Sequence, residues 1–220
     1  MRLPALCILA LPACVGDTGD TTDDSNSGSA ITCEALDTVA VVTDIDETLT
    51  TDDMEYVYQI LDPDHDPEMR PDADTLMGGL HDLGYRMIYL TARGEELGLL
   101  DGTSARDATT GWLDTHGFPY ADEDVYLATG LGETGDGAAD YKTEVLTSLQ
   151  DAGVTLALAY GNADTDIAAY QAAGIPDDHI FLVGDLAGDY GVEPIPTEDA
   201  YTSHMASYLP TVPCAAEAGG

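Results

Sequence analysis

The stretch VAVVTDIDETLT at residues 39–50 runs from an uninterrupted apolar segment directly into alternating acidic residues. A continuous apolar pattern, rather than an alternating one, is typical of a strand that is buried on both faces of a parallel sheet. Residues 39–45 are therefore predicted to form the first strand, with Asp44 and Asp46 at its carboxyl end. Ligands of such sheets bind outside the carboxyl ends of the strands, so candidate site residues are sought there.

Four further segments show the same apolar pattern and are predicted strands: 86–91, 125–128, 155–160 and 179–183. Helical patterns lie between the strands, and several end in glycine, the usual helix stop. The predicted helices are 72–83, 104–115, 141–151 and 164–173. Alternation of strand and helix predicts an α/β fold with a doubly wound, mostly parallel sheet flanked by helices. The connections 51–71 and 97–124 are long enough only for a small cap.

Asp44 and Asp46 carry side chains that suit phosphoryl transfer. A carboxylate at a strand end can attack phosphorus and form an aspartyl-phosphate. A second carboxylate two residues on can protonate the leaving oxygen and then deprotonate the hydrolytic water. The pair also offers oxygen ligands of the kind that Mg²⁺ prefers. A solvated acidic turn is the alternative interpretation of the same residues, because aspartate is abundant throughout the chain.

The other predicted strand ends carry groups of the same chemistry. Thr91 and Arg93 follow the second strand, where a hydroxyl and backbone N–H groups can hold phosphate oxygens. Asn162 and Asp166 follow the fourth strand and offer oxygen ligands for a hard cation. Lys142, predicted to open the helix before that strand, is the only lysine of the chain. It is therefore the expected source of an ammonium group at the site.

Four segments, DIDETLT, LTARG, YKTEVL and GNADTDIAAY, resemble in this order the four motifs of the haloacid dehalogenase (HAD) superfamily of phosphatases. Within the superfamily the sequence is most similar to the lipin-type phosphatidate phosphatase domain, and the similarity extends over residues 36–190. Two departures stand out. Glu47 occupies a position where lipin-type domains have glycine, and Ala163 and Asp164 replace the usual arginine and proline.

The resemblance implies a role for each matched residue. Asp44 is the expected nucleophile and Asp46 the expected general acid and base. The expected phosphate-binding residues are Thr48, Thr91, Arg93 and Lys142, with Thr48 expected to support the loop. The expected ligands of a Mg²⁺ cofactor are Asp44, Asp46 through its backbone carbonyl, and Asn162 and Asp166 directly or through water.

The function implied by the resemblance is Mg²⁺-dependent hydrolysis of phosphomonoesters through an aspartyl-phosphate, with phosphatidate or a related phospholipid as the candidate substrate. A broad-specificity secreted acid phosphatase that acts on small phosphate esters is one alternative, since the DxDET form of the first motif occurs in such enzymes. A non-catalytic phospholipid-binding domain is the other, because relatives without a working nucleophile share the fold.

The amino-terminal residues predict export. Residues 1–13 hold an apolar run that is too short to span a membrane and fits a lipoprotein-type signal peptide, with Cys14 as the lipidated residue. Residues 14–32 are rich in Asp, Thr, Ser and Gly and are predicted to be a flexible tether. The phosphatase domain is predicted over 33–214, followed by a tail at 215–220. The expected location is the periplasm or cell surface, with a lipid anchor in the membrane. A wrongly assigned start or an uncleaved apolar tail is the alternative.

Cys33 and Cys214 lie at the two ends of the predicted domain. Domain termini are often close together, so in an oxidising compartment these cysteines are expected to form a disulfide. Two free thiols are the alternative.

The charge balance excludes several classes of partner. The chain has 42 acidic side chains against six basic ones, a net charge of −36. It has no basic cluster to neutralise the phosphates of a nucleic acid or to attract the chain to an anionic membrane. Self-repulsion of this size favours a high-salt setting or bound cations, although a solubilising surface is the simpler explanation. A monomer is expected.

The segment GLGETG at 130–135 matches the GxGxxG pattern of nucleotide-binding loops. That pattern is informative only where it opens a helix. The following residues, DGAAD, are not predicted to do so, and a nucleotide site is therefore not expected.

Overall fold

Residues 33–195 and 200–219 are described by a computed structural model of the chain. The predicted signal peptide, Cys14 and the predicted tether lie outside the described residues, and these assignments stay predictions. Among the described residues, no helix is both long enough and apolar enough to cross a membrane.

Six parallel strands form one sheet with the order β3-β2-β1-β4-β5-β6. The strands are β1 (Leu36–Thr43), β2 (Tyr85–Gly94), β3 (Val125–Ala128), β4 (Thr155–Gly161), β5 (Ile180–Val183) and β6 (Glu193–Ile195). The helices are α1 (Glu55–Leu61), α2 (Ala73–Asp82), α3 (Ala105–Thr115), α4 (Asp136–Asp151), α5 (Asp164–Ala172), α6 (Ala200–Ser207) and α7 (Ala215–Ala218). The predicted doubly wound α/β fold is confirmed.

Side chains of β1 alternate between two apolar layers. Val39 and Val41 lie in the layer that contains Leu76 of α2 and other residues of α2 and α3. Ala40 and Val42 face the opposite layer, built by α4 and α5. Because both faces of this central strand are covered, neither face needs polar residues, and the strand appears in the sequence as one uninterrupted apolar run.

The structure adds elements that the sequence patterns did not predict. Strand β6 has only three residues, one of which is Pro194, so it carries no recognisable strand pattern. Helix α1 has seven residues and lies within the segment 51–71, where only a small lid was expected.

The start of α4 corrects the interpretation of the glycine-rich segment. The helix begins at Asp136, directly after Gly135, so the GxGxxG segment does open a helix. The prediction that DGAAD is not helical was wrong, as was the placement of Lys142 at the start of the helix. Gly135 has a φ of 54°, which suits the turn into the helix, and Asp136 lies favourably in its first turn. The segment packs against the second strand through an antiparallel bridge between Arg93 and Gly132.

Cys33 and Cys214 form a disulfide with Cα atoms 5.5 Å apart. The neighbouring backbone is tied to the turn that leads from α2 into β2. The Leu36 N–H donates to the Gly84 carbonyl at 2.9 Å, and the Ala215 N–H donates to the Leu83 carbonyl at 2.9 Å. Both ends of the domain are therefore joined at the edge of the sheet where β2 begins.

The variant Cys33→Ser/Cys214→Ser is expected to lower the free energy of unfolding by about 2–5 kcal/mol, because the disulfide constrains the unfolded chain. Urea denaturation without reductant measures the difference. Each single variant should lose as much as the double variant, since either substitution removes the same bond. Equal midpoints for the double variant and the parent would contradict the expectation.

His204 of α6 lies among aromatic rings. Its ring is in edge contact with Phe181 and is stacked on Tyr208. Its Nε2 lies 3.1 Å from the Tyr160 hydroxyl. Burial disfavours the charged imidazolium and lowers the pKa of His204 to about 4. The imidazole is therefore neutral in the folded protein at neutral pH.

The pKa of His204 predicts a pH-dependent term in stability. An unfolded histidine takes up a proton near pH 6.5, so between pH 6.5 and about 4 the unfolded state binds more protons than the folded state. The wild-type protein should lose stability relative to His204→Phe as the pH falls from 7 to 5. Urea midpoints of both proteins in molar salt, which screens the carboxylates, measure the difference. A difference that stays constant between these pH values would refute the assignment.

Candidate active site

Asp44 and Asp46 follow the carboxyl end of β1, in the centre of the sheet. The Asp44 N–H donates to the Tyr160 carbonyl at 3.0 Å, which ties the end of β1 to β4. The apolar residues of this turn, Ile45 and Leu49, are fully buried. They anchor the turn in the core, and Ile45 separates the side chains of Asp44 and Asp46.

Asp44, Lys142 and Asp166 form a buried ionic cluster. The Lys142 Nζ donates to Asp44 Oδ1 at 2.6 Å and to Asp166 Oδ1 at 2.5 Å. The second oxygen of Asp166 accepts the backbone N–H groups of Asn162 and Ala163, each at 3.1 Å. Three elements that are distant in sequence, the β1 turn, α4 and the start of α5, therefore meet at one ammonium group.

In this cluster two carboxylates face a single ammonium group. Burial raises the pKa of Asp44 to about 7, and the nearby Asp166 and Asp46 act in the same direction against the attraction of Lys142. Burial also opposes the charge of Lys142, but the Asp166 and Asp44 carboxylates outweigh it and raise the pKa of the ammonium. Lys142 therefore stays protonated, and one fixed cation serves two carboxylates.

Asp46 belongs to a second cluster. Arg93 donates to it through two nitrogens: Nε lies 2.9 Å from Oδ2, and Nη2 lies 2.8 Å from Oδ1. The Thr91 hydroxyl donates to Asp46 Oδ2 at 3.0 Å. Arg93 also donates from Nη1 to the Thr109 hydroxyl at 3.0 Å, and its guanidinium lies 4.1 Å from the centre of the Tyr56 ring. The guanidinium is thus paired with Asp46 instead of being free to bind phosphate, the role expected for Arg93.

Thr48 and Asn162 connect the first turn to the fourth strand. The Thr48 hydroxyl lies 3.1 Å from Asp44 Oδ2 and 3.0 Å from Asn162 Oδ1. Thr48 is fully buried, so the structure places it as a support for Asp44 and not at an exposed phosphate position.

Glu47, which appeared in the sequence only as a departure from the lipin-type pattern, contributes to the same connection. The Asn162 amide donates from Nδ2 to Glu47 Oε2 at 3.0 Å, which directs the amide oxygen towards Thr48. Glu47 has a φ of 55°, a left-handed conformation that favours glycine.

The first cluster and Asp46 of the second line one pocket of about 380 Å³. The same pocket is lined by residues that the sequence patterns did not select: Asp53, Glu133, Thr134 and Gly135. The last three follow strand β3 at the end of the glycine-rich segment, and their position after a strand end is the signal that could have identified them. A larger pocket of about 700 Å³, beside Tyr126 and Tyr141, contains none of the predicted catalytic residues.

The pocket offers carboxylate and amide oxygens as donors for Mg²⁺. Within 33–195 and 200–219, no group of three or more Asp, Glu, His or Cys side chains is arranged to hold a metal ion. Lys142 Nζ lies between the nearest carboxylate oxygens of Asp44 and Asp166. By type, the carboxylate and amide oxygens at this edge of the sheet are ligands that Mg²⁺ prefers, and they carry more negative charge than Lys142 neutralises. The donor chemistry therefore fits the ion.

Comparison with known proteins identifies relatives. The Drosophila melanogaster protein "retinal degeneration B" is 30% identical over 142 residues, which are 64% of this chain and 10% of the relative. Membrane-associated phosphatidylinositol transfer protein 3 of Homo sapiens is 26% identical over 142 residues, 64% of this chain and 13% of the relative. The chain thus spans little more than a tenth of the length of these relatives.

A solved structure from Mesorhizobium loti, described as a HAD-like phosphatase, has the same fold. It superposes with a TM-score of 0.52 at 18% identity and covers 81% of this chain and 88% of its own. This likeness is one of fold, and it agrees with the doubly wound α/β architecture described above.

A family model described as "PITM 1-3, LNS2 domain" matches residues 41–184. The match runs from β1 to the end of β5 and includes all residues of the two clusters. The chain therefore belongs to the LNS2 domain family.

Proposed function

We propose that this domain is a phosphomonoester hydrolase that acts through an aspartyl-phosphate on Asp44 and uses Mg²⁺. The observation that carries the proposal is the pair of carboxylates in one pocket with different partners. Asp44 lies against the Lys142 ammonium, and Asp46 lies against Arg93 and Thr91. Two carboxylates in different environments suit the two roles of nucleophile and acid–base group.

The reaction proceeds in two steps. An oxygen of Asp44 attacks phosphorus, the bond between phosphorus and the leaving oxygen breaks, and that oxygen takes a proton from Asp46. Asp46 then removes a proton from the water that attacks the aspartyl-phosphate. This second step releases inorganic phosphate and regenerates the Asp44 carboxylate.

The other residues of the pocket position these groups. Lys142 offsets negative charge beside Asp44, and Thr48 holds the second oxygen of that carboxylate. Mg²⁺, when bound by Asp44, Asp46, Asn162 and Asp166, would supply further positive charge against the phosphoryl oxygens. Both oxygens of Asp46 accept hydrogen bonds in this structure, so Asp46 must release part of its contact with Arg93 or Thr91 before it can carry the transferred proton.

A phospholipid is the proposed source of the phosphomonoester. Two relatives, from Mus musculus and Homo sapiens, are named membrane-associated phosphatidylinositol transfer protein 3, which supports a lipid as the substrate class. Phosphatidate or a related lipid is therefore proposed as substrate, and small soluble phosphate esters are the competing class. A non-catalytic phospholipid-binding domain is not favoured, because Asp44, Asp46 and Lys142 are all in place in the pocket. Export and lipidation at Cys14 complete the proposal.

Replacement of the proposed nucleophile, Asp44→Asn, should abolish Mg²⁺-dependent hydrolysis of an aryl phosphate, because an amide oxygen cannot form the aspartyl-phosphate. The matched control is Asp164→Asn, an exposed acid in the same pocket, which should retain activity. Initial rates with and without Mg²⁺, together with circular dichroism to verify folding, measure the effect. Turnover by folded Asp44→Asn at the parental rate would refute the mechanism.

The pairing of Arg93 with Asp46 predicts a second effect. Arg93→Lys should reduce kcat by roughly tenfold to a hundredfold, because lysine cannot hold the carboxylate through two parallel hydrogen bonds. Arg106→Lys is the control, since Arg106 forms a solvent-exposed pair with Glu95. Steady-state kinetics on a soluble aryl phosphate measure both. A kcat of Arg93→Lys equal to that of the parent would show that the orientation of Asp46 does not depend on its pairing with Arg93.

A further inference from the structure

Large apolar side chains are exposed around the same edge of the sheet that holds the pocket. In the described part of the chain, six of the seven follow the carboxyl ends of β1, β2 or β3: Met54, Val57, Tyr58, Leu61, Leu100 and Leu131. The seventh, Tyr190, lies in the connection from β5 to β6. Among the described residues, no helix other than α1 adds a residue to this set, and the opposite edge of the sheet adds none.

Helix α1 carries most of these side chains on one face. Residues 54, 57, 58 and 61 recur at intervals of three and four, so they share one side of the helix. Leu100 adjoins this side, since its N–H donates to the Ile60 carbonyl at 3.2 Å. The opposite side, with Tyr56 and Gln59, is buried. We call the surface formed by Met54, Val57, Tyr58, Leu61 and Leu100 the α1 face; it presents apolar side chains to solvent.

The α1 face begins at the rim of the pocket. Asp53, one residue before Met54, lines the pocket. Tyr56 lies under the guanidinium that holds Asp46 and donates from its hydroxyl to the Leu97 carbonyl at 2.6 Å. The α1 face and the acid–base group Asp46 are therefore connected through Tyr56 and Arg93. Leu131 lies in the loop after β3, near the pocket residue Glu133.

We infer that the α1 face docks on a zwitterionic lipid surface and brings the pocket to the headgroups. This inference rests on the proposed function and specifies that the substrate is taken from a lipid bilayer and not from solution. An apolar surface beside a reaction pocket suits a substrate whose reactive headgroup lies in water while its chains remain in the bilayer.

Charge and size favour this partner over others. Exposed carboxylates border the α1 face at Asp62 and Asp101; these acids repel an anionic bilayer, whereas a zwitterionic bilayer has no net charge to repel them. The helix is about 10 Å long, so the surface covers at most a few hundred Å². A stable protein interface buries about 800 Å² on each partner, which makes a second copy of the chain a poorer fit.

The test compares the full chain with Leu61→Ser/Leu100→Ser, which removes two apolar groups that are 64% and 72% exposed. The control is Tyr190→Ser, which removes a side chain that is 56% exposed and lies outside the α1 face. Binding is measured by co-sedimentation with phosphatidylcholine vesicles, and amide hydrogen exchange is followed over residues 54–61. A parallel series contains phosphatidylserine. Any binding by the apolar run at residues 3–15 is common to all three proteins.

The double variant should bind phosphatidylcholine vesicles roughly tenfold more weakly, since each lost CH₂ contact lowers membrane affinity. Tyr190→Ser should bind as the parent does. Vesicles should slow amide hydrogen exchange at residues 54–61 in the parent and in Tyr190→Ser, but not in the double variant. Phosphatidylserine in the vesicles should weaken binding of the parent at low salt. Turnover of a soluble aryl phosphate should be equal in all three proteins, while turnover of phosphatidate in the vesicles should fall with binding in the double variant.

Equal binding and equal exchange in the three proteins would overturn the inference. So would a parental dimer that dissociates in the double variant, as measured by light scattering, because the α1 face would then bind a second copy. If binding and exchange depend on the α1 face but no phosphomonoester is hydrolysed, the proposed function fails and the docking surface stands. If hydrolysis is normal but neither vesicle binding nor hydrogen exchange depends on the α1 face, the docking surface fails and the proposed function stands.

Discussion

The arrangement of the pocket depends on one buried ammonium group. Lys142 is the only lysine in a chain with 42 acidic side chains, and it lies between Asp44 and Asp166. Removal of one partner from a buried ionic cluster leaves an uncompensated charge, which typically costs about 3–5 kcal/mol. The β1 turn, α4 and the start of α5 all supply partners to this cluster, so their relative positions depend on it.

Division of the pocket into two ionic clusters gives its carboxylates different properties. Asp44 shares a single cation with Asp166 and lies in a buried environment, so its charge is poorly neutralised. Asp46 has its own guanidinium and a threonine hydroxyl, and it is partly accessible. Two aspartates separated by one residue thus meet unlike surroundings, because the turn after β1 directs Asp44 towards Lys142 of α4 and Asp46 towards Arg93 of β2. Burial of Ile45 between them enforces that divergence.

Sequence patterns were sufficient for the central features of the fold because β1 and its neighbours are covered on both faces. The same patterns placed Asp44, Asp46, Thr91 and Asp166 at strand ends, and the structure brings these residues to one edge. The sequence could not reveal which cation serves which carboxylate, since Arg93 is 47 positions from Asp46 and its orientation depends on Thr109 and Tyr56. Short elements such as β6 are stabilised by the neighbouring strand, not by a pattern of their own.

The disulfide has a mechanical consequence. Cys33 and Cys214 are joined where β2 begins, whereas the pocket lies beyond the opposite ends of the strands. Tension applied through the chain before Cys33 or after Cys214 is carried by a covalent bond and bypasses the hydrogen bonds between strands.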